Sequence, residues 1–350
     1  MPTHLFLCDL GWEAAVLDEL ARVLPIATHA QHAPGWIVTE VAEDSTPGEP
    51  IVALAGQCLP AAEAITAPSI SRWVDAVGPR VVSALQGHEG PWRCNVFAHA
   101  AREGVVPPGR LAMIGAQLAD YLKQKQRRLL RTLNADALAP FAADEAVVQI
   151  ALRTPAQGAL SICLPAERHA LRYCLWSAPA GAVEPASDRD APSRAFSKLA
   201  EVEVRLGRTI QPGETCVDLG ASPGSWTYWA LQRGAQVIAL DRSPLRDDLM
   251  RDPCLTFIRG DAFRYEPAAP VDWLLCDVIA FPERTVELLD TWLTRRWCRQ
   301  FCVTVKFRGA TDYPTLEILK DLLRRSVAHF GLRRLTANKN EVTAFGGNAE

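Results

Sequence analysis

The stretch Thr215-Cys-Val-Asp-Leu-Gly220, with Ala221-Ser-Pro-Gly-Ser-Trp226 after it and then Gln236-Val-Ile-Ala-Leu-Asp241, decides the fold of half this chain. An apolar run ends in a glycine, a short turn leads into a segment of helical character over 227–233, and a second apolar run ends in an acid. Strand, glycine turn, helix, strand and acid in that order open a doubly wound sheet, whose ligands bind beyond the carboxyl ends of the strands. The pattern continues downstream. Asp261 follows a third strand, Val271-Asp-Trp-Leu-Leu-Cys276 reads as a fourth that ends at Asp277, and Phe301 to Val305 reads as a further buried strand with Lys306 at its tip. One acid at a strand end could merely cap a helix. Asp241, Asp261 and Asp277 at successive strand ends point instead to a ligand edge.

The turn is not the Gly-x-Gly-x-x-Gly of a dinucleotide site, which lets a pyrophosphate sit on the helix N-terminus. It has Gly220 and Gly224 with Pro223 between them. That suits S-adenosylmethionine, which carries no phosphate and needs backbone room at its methionine end and an acid for its ribose hydroxyls. Asp241 is placed for the ribose, and Asp261 could accept from the adenine amino group. The residues after Asp277, Val278-Ile-Ala-Phe-Pro282, are not a Pro-Pro-aromatic turn, which disfavours methylation of a base amino group. Cys276, inside a strand, and Cys254, ahead of one, are poorly placed as nucleophiles for cytosine carbon methylation.

Composition narrows the class. The 350 residues are 49% hydrophobic and 22% charged, with a formal net charge of -3. Global disorder is excluded, and any nucleic-acid site must be a local patch rather than bulk charge. The N-terminus reads as lacking a signal peptide, and no run approaches the roughly 20 apolar residues of a membrane span. The ten cysteines are scattered without a Cys-x-x-Cys pair, which reads as buried thiols in a reducing cytoplasm. The seven histidines do not cluster with cysteine, so no metal site is expected, and His29 and His32 read as loop residues.

Residues 177–192, SAPAGAVEPASDRDAP, are rich in Pro, Ala and acid and read as a linker between residues 1–176 and 193–346. The first region reads as α/β. Strands are expected near 5–8, 36–41, 146–152 and 158–164, with helices over 12–24 and 111–133, on one antiparallel or mixed sheet. The second helix carries Lys123, Lys125, Arg127, Arg128 and Arg131. Such a run is usually a solvated face, and otherwise a phosphate-contacting one. In the second half, ten basic residues against three acids lie between Thr291 and Arg334 (Arg295, Arg296, Arg299, Lys306, Arg308, Lys320, Arg324, Arg325, Arg333 and Arg334), a further candidate patch for RNA.

Lys198 on the helix entering the second domain, Asp277, Lys306 and Glu341 in a last strand occur in the order of the Lys-Asp-Lys-Glu tetrad of FtsJ-like ribose 2'-O-methyltransferases, which the chain resembles. Ala191-Pro-Ser-Arg194, Val217 to Tyr228, Trp273 to Asp277, Trp292 to Arg299 and Asn340-Glu-Val-Thr343 are similar to the bacterial ribosomal RNA large subunit methyltransferase M family. The resemblance covers about residues 190–346 and is thinner before them.

The resemblance implies a Rossmann-like class I methyltransferase domain preceded by a THUMP-like RNA-binding region. It implies a cofactor pocket of Gly220, Ser222, Pro223, Gly224, Ser225, Trp226, Asp241, Asp261 and Asp277. It also implies Lys306 as proton acceptor, Asp277 as its orienting partner close to the methyl group, and Lys198 and Glu341 as residues that position the ribose and balance charge. The residue types suit the chemistry. A ribose hydroxyl is a poor nucleophile until deprotonated, and a lysine, ordinarily protonated up to about pH 10.4, becomes a base when a second cation or desolvation depresses it. The implied reaction is 2'-O-methylation of a cytidine in 23S ribosomal RNA by a cytoplasmic, metal-free monomer. A paralogue acting on another RNA and a non-catalytic ribosome-assembly factor remain as alternatives. Three departures from the family pattern stand out: Ser222-Pro-Gly-Ser225 for Cys-Pro-Gly-Gly, Ala195 for serine, and Phe307-Arg308 for Leu-Pro.

Overall fold

In the computed structural model, residues 3–24, 28–40, 49–99, 106–178, 183, 187–309 and 312–347 are described. The chain divides into two compact units, Met1–Ala182 and Val183–Glu350. Part of the 177–192 stretch lies outside the described residues.

The first unit runs β1 (Thr3–Leu7), α1 (Glu13–Val23), β2 (Thr28–Ala33), β3 (Trp36–Glu40), β4 (Gln57–Leu59), β5 (Glu63–Thr66), α2 (Ile70–Ala84), β6 (Trp92–Ala98), α3 (Pro108–Lys125), β7 (Ala146–Thr154), β8 (Gln157–Cys163) and α4 (Pro165–Ala170). It holds two sheets rather than the single one expected from sequence. One is antiparallel, in the order β2-β3-β1-β4. The other is mixed, in the order β5-β8-β7-β6, with β6 and β7 parallel. Leu5, Leu7, Trp36 and Leu59 of the first pack with Phe97, Ala151 and Ala159 of the second. The opposite face of the second sheet buries Trp92, Val148 and Ile150 against Trp73, Val77 and Val81 of α2 and Leu118 and Leu122 of α3.

Two further expectations are corrected here. The helix expected over 111–133 ends at Lys125, and residues Arg127–Arg131 form a separate 3-10 turn. Tertiary bonds cause the break. The Arg128 guanidinium donates to the carbonyls of Leu85, Gln86 and His88 after α2, and the Trp92 indole donates to Leu129 O at 2.7 Å. Arg128 therefore ties two elements together, while Lys123, Lys125, Arg127 and Arg131 stay exposed. His29 and His32 lie in β2, not in a loop. The His29 ring sits 3.1 Å from both Thr39 Oγ1 and Leu24 O, and burial lowers its pKa.

The second unit runs α5 (Phe196–Leu206), β9 (Thr215–Leu219), α6 (Ser225–Gln232), β10 (Gln236–Asp241), β11 (Leu255–Arg259), β12 (Val271–Cys276), α7 (Pro282–Thr294), β13 (Cys298–Lys306), α8 (Thr315–Ser326), β14 (His329–Arg333) and β15 (Glu341–Gly347). Its sheet has the order β11-β10-β9-β12-β13-β15-β14. The central strands are parallel and β15 is antiparallel to both neighbours. Helices pack in two pairs, α5 with α6 and α7 with α8. Parallel strands covered on both faces must be apolar along their length, and Leu274, Leu275, Phe301, Val303 and Val305 are fully buried.

Strand order reverses between β9 and β12, which opens a crevice at their carboxyl ends. The next two strands bring further side chains to that edge. Lys306 ends β13 beside Asp277, and the antiparallel register pairs Lys306 with Glu341.

The basic stretch from Thr291 to Arg334 does not form one surface. Lys320 and Arg333 are buried, and Lys320 donates to Glu317 at 2.9 Å. Arg299 pairs with Asp272 and Arg325 with Asp290. The amphipathic spacing of α8 turns Lys320 onto its apolar face, which a charge count along the sequence does not register.

Candidate active site

A cavity of about 720 Å³ opens at the crevice, a volume suited to a cofactor-sized ligand. Gly220, Ser222, Pro223, Ser225, Trp226, Asp241, Asp261 and Asp277 line it. Gly224 does not. It caps α6 in the left-handed region at φ +111, with its amide donating to Ala221 O. The turn is tight at Gly220, where φ is +75 and an added Cβ would stand 2.9 Å from Val278 Cβ. Gly220→Ala is expected to strain the backbone and push Val278 into the cavity, at a cost of about 1–3 kcal/mol. The check is a lowered melting temperature together with weaker S-adenosylhomocysteine binding by calorimetry. An unchanged affinity would mean that the turn does not border the ligand.

The acids at the rim are held by backbone. Asp241 accepts from the amides of Ser222 and Ser243, at 3.0 and 2.9 Å. Those bonds fix its carboxylate and leave acceptor capacity for a diol. Asp261 caps the turn after β11 by accepting from Phe263 N at 3.0 Å, and it pairs with Arg242 at 3.2 Å. The Phe263 amide foremost, and then Arg242, lower its pKa. Helix capping and a place on the cavity wall thus coexist at Asp261. The Trp226 indole donates to Ala195 O at 2.8 Å, and Ser225 Oγ lies 2.6 Å from Ser193 Oγ. Both bonds anchor the segment that precedes α5.

Lys198, Asp277, Lys306 and Glu341 converge beside this cavity. Lys198 Nζ donates to both Asp277 carboxylate oxygens at 2.9 Å and pairs with Glu341 Oε1 at 2.7 Å. Lys306 Nζ donates to Asp277 O at 2.6 Å and stands 3.1 Å from Asp277 Oδ1. Burial works against the charge on Lys198, but Asp277 and then Glu341 outweigh it and hold the ammonium above its ordinary pKa. Lys306 is the more accessible of the two, its side chain 23% exposed against 7% for Lys198. The β15 end of the cluster is fixed in turn. Asn340 exchanges backbone and side-chain bonds with Phe307, and Asn338 Nδ2 donates to Glu341 O.

Several wall residues escaped the sequence reading. Asp218, inside the apolar run of β9, is buried and accepts from Thr227 Oγ1 at 2.7 Å. Desolvation pushes its pKa up to about 7. A carboxyl raised by folding stabilises the fold while protonated, so this contribution is lost as pH climbs from about 4 through 7. Asp218→Asn is therefore expected to raise stability by ~2 kcal/mol more at pH 8 than at pH 5, since the wild-type carboxyl ionises in the fold between the two. Melting curves at the two pH values check this, and an equal shift at both would refute it. Phe263, Ile279, Phe281, Arg284 and Arg308 also line the cavity. An acid interrupting an apolar strand was the available signal for Asp218; Phe263, Ile279, Phe281 and Arg284 gave none, and Arg308 stood out only within the basic stretch and at the Phe307-Arg308 departure.

All ten cysteines are free thiols. Burial pushes Cys276 up to about 12, far from a thiolate nucleophile. Among the described residues, no group of three or more His, Cys, Asp or Glu is placed to hold a metal ion, and no helix is long and apolar enough to cross a membrane.

Strand order, glycine turn and edge cavity together define a domain with the class I methyltransferase fold. Residues 191–310 match the model of the FtsJ-like methyltransferase family, so the second unit carries an FtsJ-like methyltransferase domain. The chain is similar to proteins named ribosomal RNA large subunit methyltransferase M. That of Halorhodospira halophila is 36% identical over 170 residues, 48% of this chain and 50% of the relative. That of Laribacter hongkongensis is 37% identical over 187 residues, 49% and 52% of the two chains. That of Pseudomonas putida (strain W619) is 38% identical over 157 residues, 42% of each. The chain thus spans about half the length of the curated relatives it matches.

Proposed function

We propose that the chain transfers a methyl group from S-adenosylmethionine to the 2'-oxygen of a ribose, a cytidine of 23S ribosomal RNA, with Lys306 as the proton acceptor. The observation that carries the reading is the convergence of Lys198, Asp277, Lys306 and Glu341 beside the glycine-turned cavity. When bound, the cofactor supplies an electrophilic methyl group on a sulfonium sulfur. Asp241 and Asp261 would hold its ribose and adenine, and the turn over 220–226 its methionine end.

The two lysines divide the work. Two carboxylates keep the proton on Lys198, so it serves as the fixed cation that sets Asp277 and Glu341 in place. Lys306 faces the opening with a single carboxylate partner, and its Nζ, in the neutral amine form, takes the proton of the ribose hydroxyl onto its lone pair as the oxygen attacks. Asp277 holds Lys306 by both its carboxylate and its carbonyl, so the nitrogen, the hydroxyl and the methyl group are aligned before reaction. Alignment of this kind supplies much of the acceleration in a displacement at carbon. The first unit would bind the RNA as a THUMP-like module, supported by exposed Lys123, Lys125, Arg127 and Arg131.

The test incubates the protein with methyl-labelled S-adenosylmethionine and unmethylated ribosomal RNA, followed by nuclease digestion and mass spectrometry. Label on one ribose of 23S RNA is the expected result. Label on a base would overturn the 2'-O reading. Cofactor binding without label on ribosomal RNA would move the substrate to another RNA, and absence of cofactor binding would favour an assembly factor.

A further inference from the structure

The loop after β12 carries an exposed apolar rim on the acceptor side of the cavity. Ile279 is 89% exposed, the highest of the large apolar residues among the described ones, and Phe281 is 52% exposed. The Arg308 guanidinium lies 4.4 Å from the centroid of the Phe281 ring. Arg308 is two residues past Lys306, so this pair borders the proton acceptor. A second pair of the same kind, Arg284 over Phe263 at 4.1 Å, also lines the cavity, with Phe263 two residues past Asp261. Asp312 Oδ2 accepts from the Arg308 backbone amide at 2.7 Å and lies 3.6 Å from its Nε, which orients the guanidinium while the side chain stays 70% exposed.

An aromatic ring and a guanidinium plane, both open to solvent at the mouth of a site, match what an unpaired nucleobase requires. Bases splayed from single-stranded RNA stack on aromatic and arginine planes, and the arginine charge adds attraction for the adjoining phosphodiester. A solvent-exposed Ile beside them has no packing role and widens the apolar seat. Phe307-Arg308 is also one of the places where this chain departs from the family it resembles, so such a seat would discriminate among RNA targets.

We infer that Phe281 and Arg308 form a stacking seat for an unpaired nucleobase of the RNA substrate, at or next to the nucleotide that is methylated. The inference rests on the reading under Proposed function only for which nucleotide is presented. Stacking on the pair holds the base, and with it the ribose, against Lys306.

The experiment uses the full chain, unmethylated 23S RNA transcript and S-adenosylhomocysteine as separate probes. Phe281→Ala is expected to raise the KM for RNA and weaken RNA binding about tenfold, with cofactor affinity unchanged. Phe281→Tyr should restore both. Arg308→Lys, which keeps the charge and loses the plane, should behave like Phe281→Ala more than like wild type. Wild-type KM and RNA affinity in both Phe281→Ala and Arg308→Ala would overturn the seat. So would a loss of S-adenosylhomocysteine binding in Phe281→Ala, which would assign the ring to the cofactor. If the wild type labels no ribose but RNA affinity still falls in Phe281→Ala and returns in Phe281→Tyr, the seat stands and the ribose reading fails.

Discussion

Lys306→Met is expected to lower the single-turnover rate of methyl transfer on the order of 10³-fold while leaving S-adenosylhomocysteine affinity and melting temperature close to wild type. The rate loss follows from removing the one amine that faces the opening, since a positioned proton acceptor contributes about 10²–10⁴. Stability is spared because Asp277 keeps both hydrogen bonds from Lys198 at 2.9 Å, so no buried carboxylate is left alone. The Asp277 carbonyl loses a donor and Asp277 Oδ1 a second cation at 3.1 Å, both at a partly exposed position. Methionine keeps the length and apolar stem of lysine, so the cavity wall stays filled. A rate within a few-fold of wild type would sink the base assignment. A parallel loss of cofactor affinity would mean that the lysine holds the cofactor instead.

The second unit was legible because its physics is local. Parallel strands buried on both faces read as apolar runs, and each run from Thr215 to Lys306 stops at a residue that belongs to the ligand edge. Asp241, Asp277 and Lys306 could be placed on one edge from that punctuation alone. Glu341 needed more, since its position opposite Lys306 depends on the register of an antiparallel strand that arrives 35 residues later. The first unit was less legible. β4 and β5 are three and four residues long, too short for a period to show, and the split into two sheets depends on which strands pair across the chain. The end of α3 is set by Arg128 reaching carbonyls some 40 residues away. Local propensity continues that helix; the tertiary bonds stop it. Charge counting failed for a related reason at Lys320 and Arg333, which the packing of α8 and β14 draws inside.

Lys198→Met is expected to act on the fold as well as on the rate, and its signature is rescue of the fold by a second substitution at Glu341. Lys198 is the only cation bonded to both carboxylates of the cluster among the described residues, and Asp277 and Glu341 are 16% and 11% exposed. Removing one partner of a buried ion pair costs about 3–5 kcal/mol, because the charge left behind is no longer in water and no longer paired. For a domain of this size that is a drop of roughly 6–15 °C in melting temperature. The raised pKa of Lys198 means that its contribution is present throughout neutral pH and is lost only as pH rises past the ordinary lysine range. In the variant the deficit comes chiefly from Glu341, since Asp277 keeps Lys306 at 3.1 Å while Glu341 loses the ammonium that stood 2.7 Å from it. Activity falls too, on the order of 10²-fold, since Asp277 no longer holds Lys306 in line. The double variant Lys198→Met with Glu341→Gln separates the two effects. It removes the charge that Lys198→Met leaves unpaired, so it should recover much of the melting temperature and none of the rate. A double variant that recovered both would make the cluster a structural ion pair that happens to border the cavity. A double variant that recovered neither would place the cost in packing rather than charge.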